Sequence, residues 1–246
     1  MTIKETNSSL VDEMNSINWH RSININGVGV TPGNAGNITN LADSLGIFPN
    51  MENKTVLDIG AWDGGYSFLA EEKGAKRVLA TDSYIWDEKN SDYSKKGFIF
   101  AHKHRNSNVD SQNIDIMDIS FNKIGIFDIT LFLGVLYHLQ DPLRALRNLR
   151  EVTKELILIE TIICNPLIDR SFARYYERDT LNNDETNCFV PTINCLKGWL
   201  EDTGFEMLEI KLGQKKSVIK SSIQRLIPFE LAGTPFCRVF MTAKPK

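Results

Sequence analysis

Between Lys54 and Asp82 the chain reads KTVLDIGAWDGGYSFLAEEKGAKRVLATD. KTVLDIG is a short apolar run closed by glycine, the pattern of a buried strand. GYSFLAEEKG then reads as a short helix stopped at Gly74, and RVLATD as a second strand ending in Asp82. Strand, helix and strand within about 30 residues form a βαβ unit, whose right-handed crossover makes the two strands parallel.

The alternation continues downstream. Strand patterns recur in GFIFA (Gly97–Ala101), VDSQNID (Val109–Asp115), FDITLFLG (Phe127–Gly134), ELILIET (Glu155–Thr161), FEMLEIKL (Phe205–Leu212) and FCRVFMTAK (Phe236–Lys244). ELILIET is reached through a helix that Asp141 can cap and Pro142 opens. TINCLKGWLEDTG predicts another helix, from a Thr192 N-cap to a stop at Gly204. Upstream, MTIKETNSSLVD is polar and uneven, whereas Ile38, Leu41, Leu45 and Ile47 of NITNLADSLGI (Asn37–Ile47) fall near helical spacing. The expected fold is an open, doubly wound α/β sheet of seven strands, with its ligand crevice at the carboxyl ends of the strands. A short N-terminal helical cap segment, 1–50, would precede a main domain over 51–246.

Composition fits that outline. A chain of 246 residues with 42% hydrophobic residues buries one full core. A net charge of −3 excludes a global basic field that would draw the chain to nucleic acid or an anionic membrane. Cys164, Cys188, Cys195 and Cys237 make no CxxC pair and no zinc spacing, and no charged segment followed by an apolar one opens the chain. No apolar run reaches the roughly 20 residues of a membrane span. A soluble protein of the reducing cytoplasm, without a metal, is expected, and the Asn-x-Ser/Thr triplets at Asn7, Asn37 and Asn53 are then chance matches.

The chemistry concentrates where the first strand meets the first helix. There Asp58, Gly60, Ala61, Trp62, Asp63 and Gly64 form a tight turn, and glycine in such a turn serves either backbone geometry alone or the close approach of a ligand. Asp82 ends the next strand about 20 residues downstream, where a carboxylate can accept hydrogen bonds from ribose hydroxyls. A dinucleotide site wants G-x-G-x-x-G, but Trp62 stands where the second glycine would be, and Asp58 and Asp63 flank the turn. Two carboxylates repel a pyrophosphate and suit a cationic amino-acid moiety. S-adenosylmethionine, with its ammonium, sulfonium and ribose, meets that description. In NIDIMD, Asp115 and Ile116 would offer an acceptor and a backbone donor to adenine, or else Asp115 and Asp118 cap a loop.

Three blocks now carry a resemblance: TVLDIGAWDGGYSFLAEEKGAKRVLATD, FDITLFLGVLYHLQDPLRALRNLREVTKELILIET and NCFVPTINCLKGWLEDTGF, spanning Thr55 to Phe205. The chain resembles the class I S-adenosylmethionine-dependent methyltransferases, in particular the group related to the bacterial tRNA wobble-uridine (cmo5U34) carboxymethyltransferases. GVLYHLQDP is the most specific stretch; VTPG (Val30–Gly33), after Trp19-His20, adds to it. The resemblance implies a Rossmann-like seven-stranded sheet whose fourth strand ends, after Gly134, beside the donor sulfur, so that Tyr137 and His138 lie where donor and acceptor meet. In that group the matching Tyr works with a Lys and an Arg on the extra carboxylate of carboxy-S-adenosylmethionine; ordinary S-adenosylmethionine is the donor expected here.

Two readings of His138 stand: a base that relieves an acceptor hydroxyl of its proton, or a residue that caps the helix or bonds the cofactor. Glu160, at the end of ELILIET, either orients the acceptor or binds a loop backbone. The loop RDTLNNDETN (Arg178–Asn187) is rich in Asp and Asn, which favours a sugar or other small polar acceptor over a phosphate backbone. Two basic stretches point the other way, toward tRNA: Lys89 to Arg105, with His102 and His104, and Lys211 to Arg225. Each is also an ordinary solvated face. Val218, Ile219, Ser222, Ile223, Leu226 and Ile227 share one helical face, which suits a lid, a dimer surface or a packed helix.

Overall fold

The computed structural model describes residues 3–33, 46–87, 89, 94–164, 169–213 and 237–246. Helix α1 (Ile3–Ser16) precedes a small hairpin of β1 (Asn24–Ile25) and β2 (Gly29–Val30). The βαβ unit follows as β3 (Thr55–Ile59), α2 (Gly65–Glu72) and β4 (Arg77–Asp82). Next come α3 (Lys96–Arg105), β5 (Asp110–Asn113), α4 (Phe121–Ile124), β6 (Phe127–Leu133), α5 (Pro142–Val152) and β7 (Thr153–Ile163). A ribbon of β8 (Ala173–Tyr175) and β9 (Phe189–Pro191) is followed by α6 (Ile193–Asp202), β10 (Phe205–Leu212) and β11 (Cys237–Pro245).

Seven of these strands form one sheet in the order β10-β11-β7-β6-β3-β4-β5. β3 pairs parallel with β4 and β4 with β5, while β11 runs antiparallel to both β7 and β10. The expected seven-stranded α/β sheet is therefore present, with antiparallel pairing at one edge.

One segment departs from the sequence reading. GFIFA is not a strand but lies within α3. Phe98 and Phe100 are buried and Ile99 is exposed, which mimics alternation, but Gly97 and Ala101 are buried as well. Burial at 97, 98, 100 and 101 is the helical spacing, and five residues are too few to tell the two periods apart. An N-terminal helix is present as expected, and Ile3–Ser16 is helical although its sequence read as polar and uneven. The helix expected over Asn37–Ile47 falls, but for its last two residues, outside the described residues, as does the patterned face at Val218–Ile227.

The chain forms two compact units, Met1–Ile119 with Phe127–Leu131, and Ser120–Ile126 with Phe132–Lys246. In the first, Val56, Leu57, Phe68, Ala70 and Leu131 are fully buried or nearly so. There β3 and β6 are clasped through side chains: Asp128 Oδ2 accepts from both Thr55 N and Thr55 Oγ1 at 2.9 Å, and Asp128 N–H donates back to Thr55 Oγ1. In the second, Ala145, Leu146, Leu149 and Val152 give α5 one apolar face. Arg150 ties α5 to the chain end, donating to Gly204 O at 3.0 Å and Lys246 O at 2.7 Å. Gly204 takes φ 87, the left-handed conformation that ends α6. Among the described residues no helix is long and apolar enough to cross a membrane.

Asp141 caps α5 as expected, its Oδ1 accepting from Arg144 N at 3.0 Å, with Pro142 in the first turn. Asp141→Ala should cost about 1 kcal/mol, read as a lower urea midpoint with an unchanged m-value; an unmoved midpoint would remove the cap from the account.

Candidate active site

In the first unit the chain leaves β3 through Gly60 (φ 70), Trp62 (φ 49) and Gly64 (φ 82). Gly64 has no room for a side chain, since a Cβ would lie 2.7 Å from the rings of Phe68 and Phe98. Trp62 is a bulky residue in the left-handed region, a strained backbone that its surroundings must hold in place. They do so on three sides. Its N–H donates to Asp82 Oδ2 at 3.0 Å and its carbonyl accepts from Trp86 Nε1 at 2.8 Å. Its ring stacks on His20 with centroids 4.1 Å apart.

The donors of this turn face inward. Gly60 N and Ala61 N both donate to Thr81 O, at 2.8 and 3.0 Å, and Gly64 N donates to Ala61 O at 2.7 Å. A phosphate-binding turn presents such N–H groups to its ligand, and here those of Gly60, Ala61, Trp62 and Gly64 are spent on the fold. What surrounds the turn instead is a set of carboxyl acceptors, Asp58, Asp63 and Asp82, all buried. A ligand with an ammonium, a sulfonium and ribose hydroxyls fits this donor set, and a pyrophosphate does not.

The three carboxyls are not equivalent. Asp58 accepts from Ser67 Oγ at 2.6 Å, and burial pushes it up to about 7, aided by the nearby charge of Asp82. Asp63 Oδ2 accepts from His20 N and Arg21 N, at 2.6 and 3.2 Å, and burial raises it to about 6. Asp63 is thus committed to fixing the N-terminal segment, and Gly97 crowds its other oxygen, where a Cβ would sit 2.6 Å from Oδ1. Asp82 accepts from Ile85 N and Trp62 N through separate oxygens, and the backbone N–H groups of Ser83 and Tyr84 also favour its carboxylate, while burial raises it. Asp115 is exposed and accepts from Met117 N, capping the turn Ile116–Asp118, with Ile116 buried beside it. Lys89–Arg105 is partly absorbed by packing: Lys95 Nζ lies 4.1 Å from the Trp86 ring centre, and Arg105 bonds Asn24 O and Glu72.

In the second unit, β6 is followed by Gly134 (φ 79), whose N–H donates to Glu160 O at 3.0 Å. A Cβ there would lie 3.4 Å from Glu160 Oε2 and 3.6 Å from the Tyr137 hydroxyl, so the glycine lets these groups close up. Tyr137 and His138 follow in a short 3-10 turn, Leu136–His138. Glu160 is 3% exposed and pairs with the Arg238 guanidinium, which also bonds the Tyr137 hydroxyl. Burial raises Tyr137, which keeps its phenol protonated, and burial lowers His138, which keeps its imidazole neutral near pH 7. The loop Arg178–Asn187 docks on this turn: Cys188 N donates to Tyr137 O at 2.8 Å and Thr186 Oγ1 meets His138 Nδ1 at 2.7 Å. Among the described residues no group of His, Cys, Asp and Glu is arranged to hold a metal ion.

Sequence reasoning brought Gly134, Tyr137, His138 and Glu160 together and singled out the loop that holds Asp184 and Thr186, without their roles, but missed Arg238 and His20. Arg238 is 78 positions from its partner Glu160, and its only local sign is a cation inside the apolar strand FCRVFMTAK.

The methyltransferase-domain family matches residues 36–210. The tRNA U34 carboxymethyltransferase of Helicobacter pylori (strain Shi470) is 30% identical over 163 residues, 65% of this chain and 59% of that protein. That of Aliarcobacter butzleri (strain RM4018) is 30% identical over 163 residues, 50% of its length. The match thus spans between half and three fifths of these curated relatives. Among solved structures, the N-terminal domain of EvdMO1, determined with SAH and D-fucose, superposes with a TM-score of 0.65 at 15% identity, covering 100% of this chain and 98% of that one. Magnesium protoporphyrin IX methyltransferase from Synechocystis PCC 6803, with bound SAH, gives 0.53 at 13% identity, covering 85% and 82%. At these identities the likeness shows the fold.

A carboxyl whose folded-state pKa is raised favours the folded state most at low pH and loses that contribution as pH rises through the shifted value. For Asp58 and Asp63 the loss falls between about 4 and 7. The melting temperature of Asp58→Asn minus that of the wild type should therefore climb between pH 5 and pH 8. A pH-independent difference would contradict an Asp58 carboxyl raised by burial.

Proposed function

Because the chain belongs to the methyltransferase-domain family, we propose that it transfers the methyl group of S-adenosylmethionine to a hydroxyl of a small molecule or sugar. The observation that carries the hydroxyl is His138, an imidazole kept neutral by burial on the turn that follows β6. S-adenosylmethionine supplies an electrophilic methyl on a sulfonium, and in-line displacement asks for an acceptor held at near-attack distance. A hydroxyl acceptor also has to lose its proton, which His138 takes as general base.

The donor's parts map onto the first unit. Asp82 takes the ribose hydroxyls, Asp58 with the Gly60–Gly64 turn receives the cationic methionyl end, and Asp115 with Ile116 meets the adenine. Asp63 is assigned to the scaffold, through its bonds to His20 and Arg21. In the second unit Gly134 allows close approach, while the Tyr137 phenol and the Glu160–Arg238 pair orient the acceptor. The catalytic domain is taken as 51–246, with 1–50 as its cap, working in the cytoplasm, where free thiols such as Cys164 and Cys195 persist.

A second reading is modification of tRNA at the wobble uridine with a carboxylated donor. The contact of Arg238 with Tyr137 favours it, as do the names of the curated relatives. Against it stands Glu160, whose carboxylate already neutralises that guanidinium and leaves little attraction for another.

The test supplies the protein with S-adenosylmethionine carrying a labelled methyl group, together with either a low-molecular-weight cell extract or bulk tRNA. Label is expected in an O-methyl product of the extract, with none in tRNA. An N- or S-methyl product would overturn the hydroxyl, and label in tRNA would establish the second reading instead.

A further inference from the structure

We propose that Thr186 and Asp184 are positioning residues that hold His138 in its Nδ1–H tautomer, leaving the Nε2 lone pair to receive the acceptor's proton. The inference rests on the reading of His138 as a base and deepens it.

Proton counting carries the argument. Asp184 Oδ1 accepts from Thr186 N at 2.9 Å and also from Thr186 Oγ1. A carboxylate only accepts, so the single hydroxyl proton of Thr186 lies on the bond to Asp184. Thr186 Oγ1 then faces His138 Nδ1, 2.7 Å away, with a lone pair alone. Nδ1 must be the donor in that contact, and in a neutral imidazole the other nitrogen is then unprotonated.

The backbone shapes this arrangement. Asn182 and Asn183 both adopt left-handed conformations (φ 59 and 54), which asparagine tolerates better than most residues, and turn the loop back on itself. Asp184 N donates to Leu181 O and Asn187 N to Asp184 O, at 3.3 and 3.2 Å. Cys188 N then pins the loop's end to Tyr137 O. One three-residue stretch, Asp184 to Thr186, thereby supplies both the charge and the relay oxygen.

Among the described residues, the charged and titratable groups facing the imidazole are Asp184, Arg238 with Glu160, Tyr137 and Cys188. Asp184 raises the proton affinity of His138 and Arg238 lowers it. Arg238 is itself paired with Glu160, the Tyr137 ring lies 4.3 Å away between centroids, and the Cys188 thiol bonds the His138 carbonyl at 3.6 Å. Asp184 is thus the anionic partner of the imidazole, and replacing it by asparagine should make His138 harder to protonate.

The tautomer is measurable without an acceptor, from long-range proton–nitrogen correlations of ring-labelled histidine, with His138 assigned by His138→Gln among the chain's four histidines. The wild type should show His138 predominantly as Nδ1–H. Thr186→Val should move most of the proton to Nε2, Thr186→Ser should restore Nδ1–H, and Asp184→Asn should lower the midpoint of the His138 titration. Signals of His20, His102 and His104 serve as the folding control. In the labelled-methyl assay Thr186→Val should lose about 10-fold or more in turnover, with the apparent KM for S-adenosylmethionine nearly unchanged. An Nε2–H wild type, or a tautomer indifferent to Thr186→Val, overturns the inference. Undiminished turnover in His138→Ala overturns the base reading separately, whatever the tautomer.

Discussion

The end of β4 holds the turn that follows β3, and most of the donor side follows from that restraint. Thr81 O takes two N–H groups of the turn, and Asp82 takes a third while also bonding Ile85. Backbone donors buried without partners would each cost on the order of 1–3 kcal/mol. Satisfying them on the neighbouring strand fixes the turn's path, lets Trp62 persist in a strained conformation, and leaves buried carboxyl acceptors as the chemistry beside the turn. That the turn has few N–H groups left for a pyrophosphate is thus a by-product of how the backbone accounts for its own hydrogen bonds.

The second unit is organised by a different restraint, the pairing of the buried Glu160 carboxylate with the half-exposed Arg238 guanidinium. A lone carboxylate at 3% exposure would be costly, and a guanidinium answering it across two adjacent antiparallel strands removes most of that cost. The phenol of Tyr137 leans on the same cation, and the loop Arg178–Asn187 closes over the histidine beside it. Polarity here is paired, not concentrated, which suits a neutral acceptor better than a charged one.

Much of the fold could be read from the sequence because buried strands announce themselves. KTVLDIG, RVLATD, FDITLFLG and ELILIET are apolar runs with clear ends, and caps such as Asp141 and Thr192 act within three residues of themselves. GFIFA failed because a helix with one narrow buried face imitates a strand over five residues. In the site, glycines and acidic residues of the first turn were visible as a cluster, but not their division of labour. Nothing local to Asp63 announces that His20 and Arg21, more than forty positions upstream, donate to it. Arg238 and Thr186 were hidden for the same reason: each gains its meaning from a residue far away in sequence and close in space.

The bond from Asp63 to the backbone of His20 and Arg21 bears on how such chains can be recombined. The carboxyl is buried, and the two N–H groups that satisfy it belong to a segment some forty residues upstream, outside the βαβ unit. A chimera whose crossover fell between residues 33 and 51 would join a nucleotide half to a foreign leader and orphan that carboxyl in the interior. Grafting the turn into another scaffold therefore requires carrying Trp19 to Gly33 with it, so the unit of exchange is larger than the sequence motif by which it is recognised.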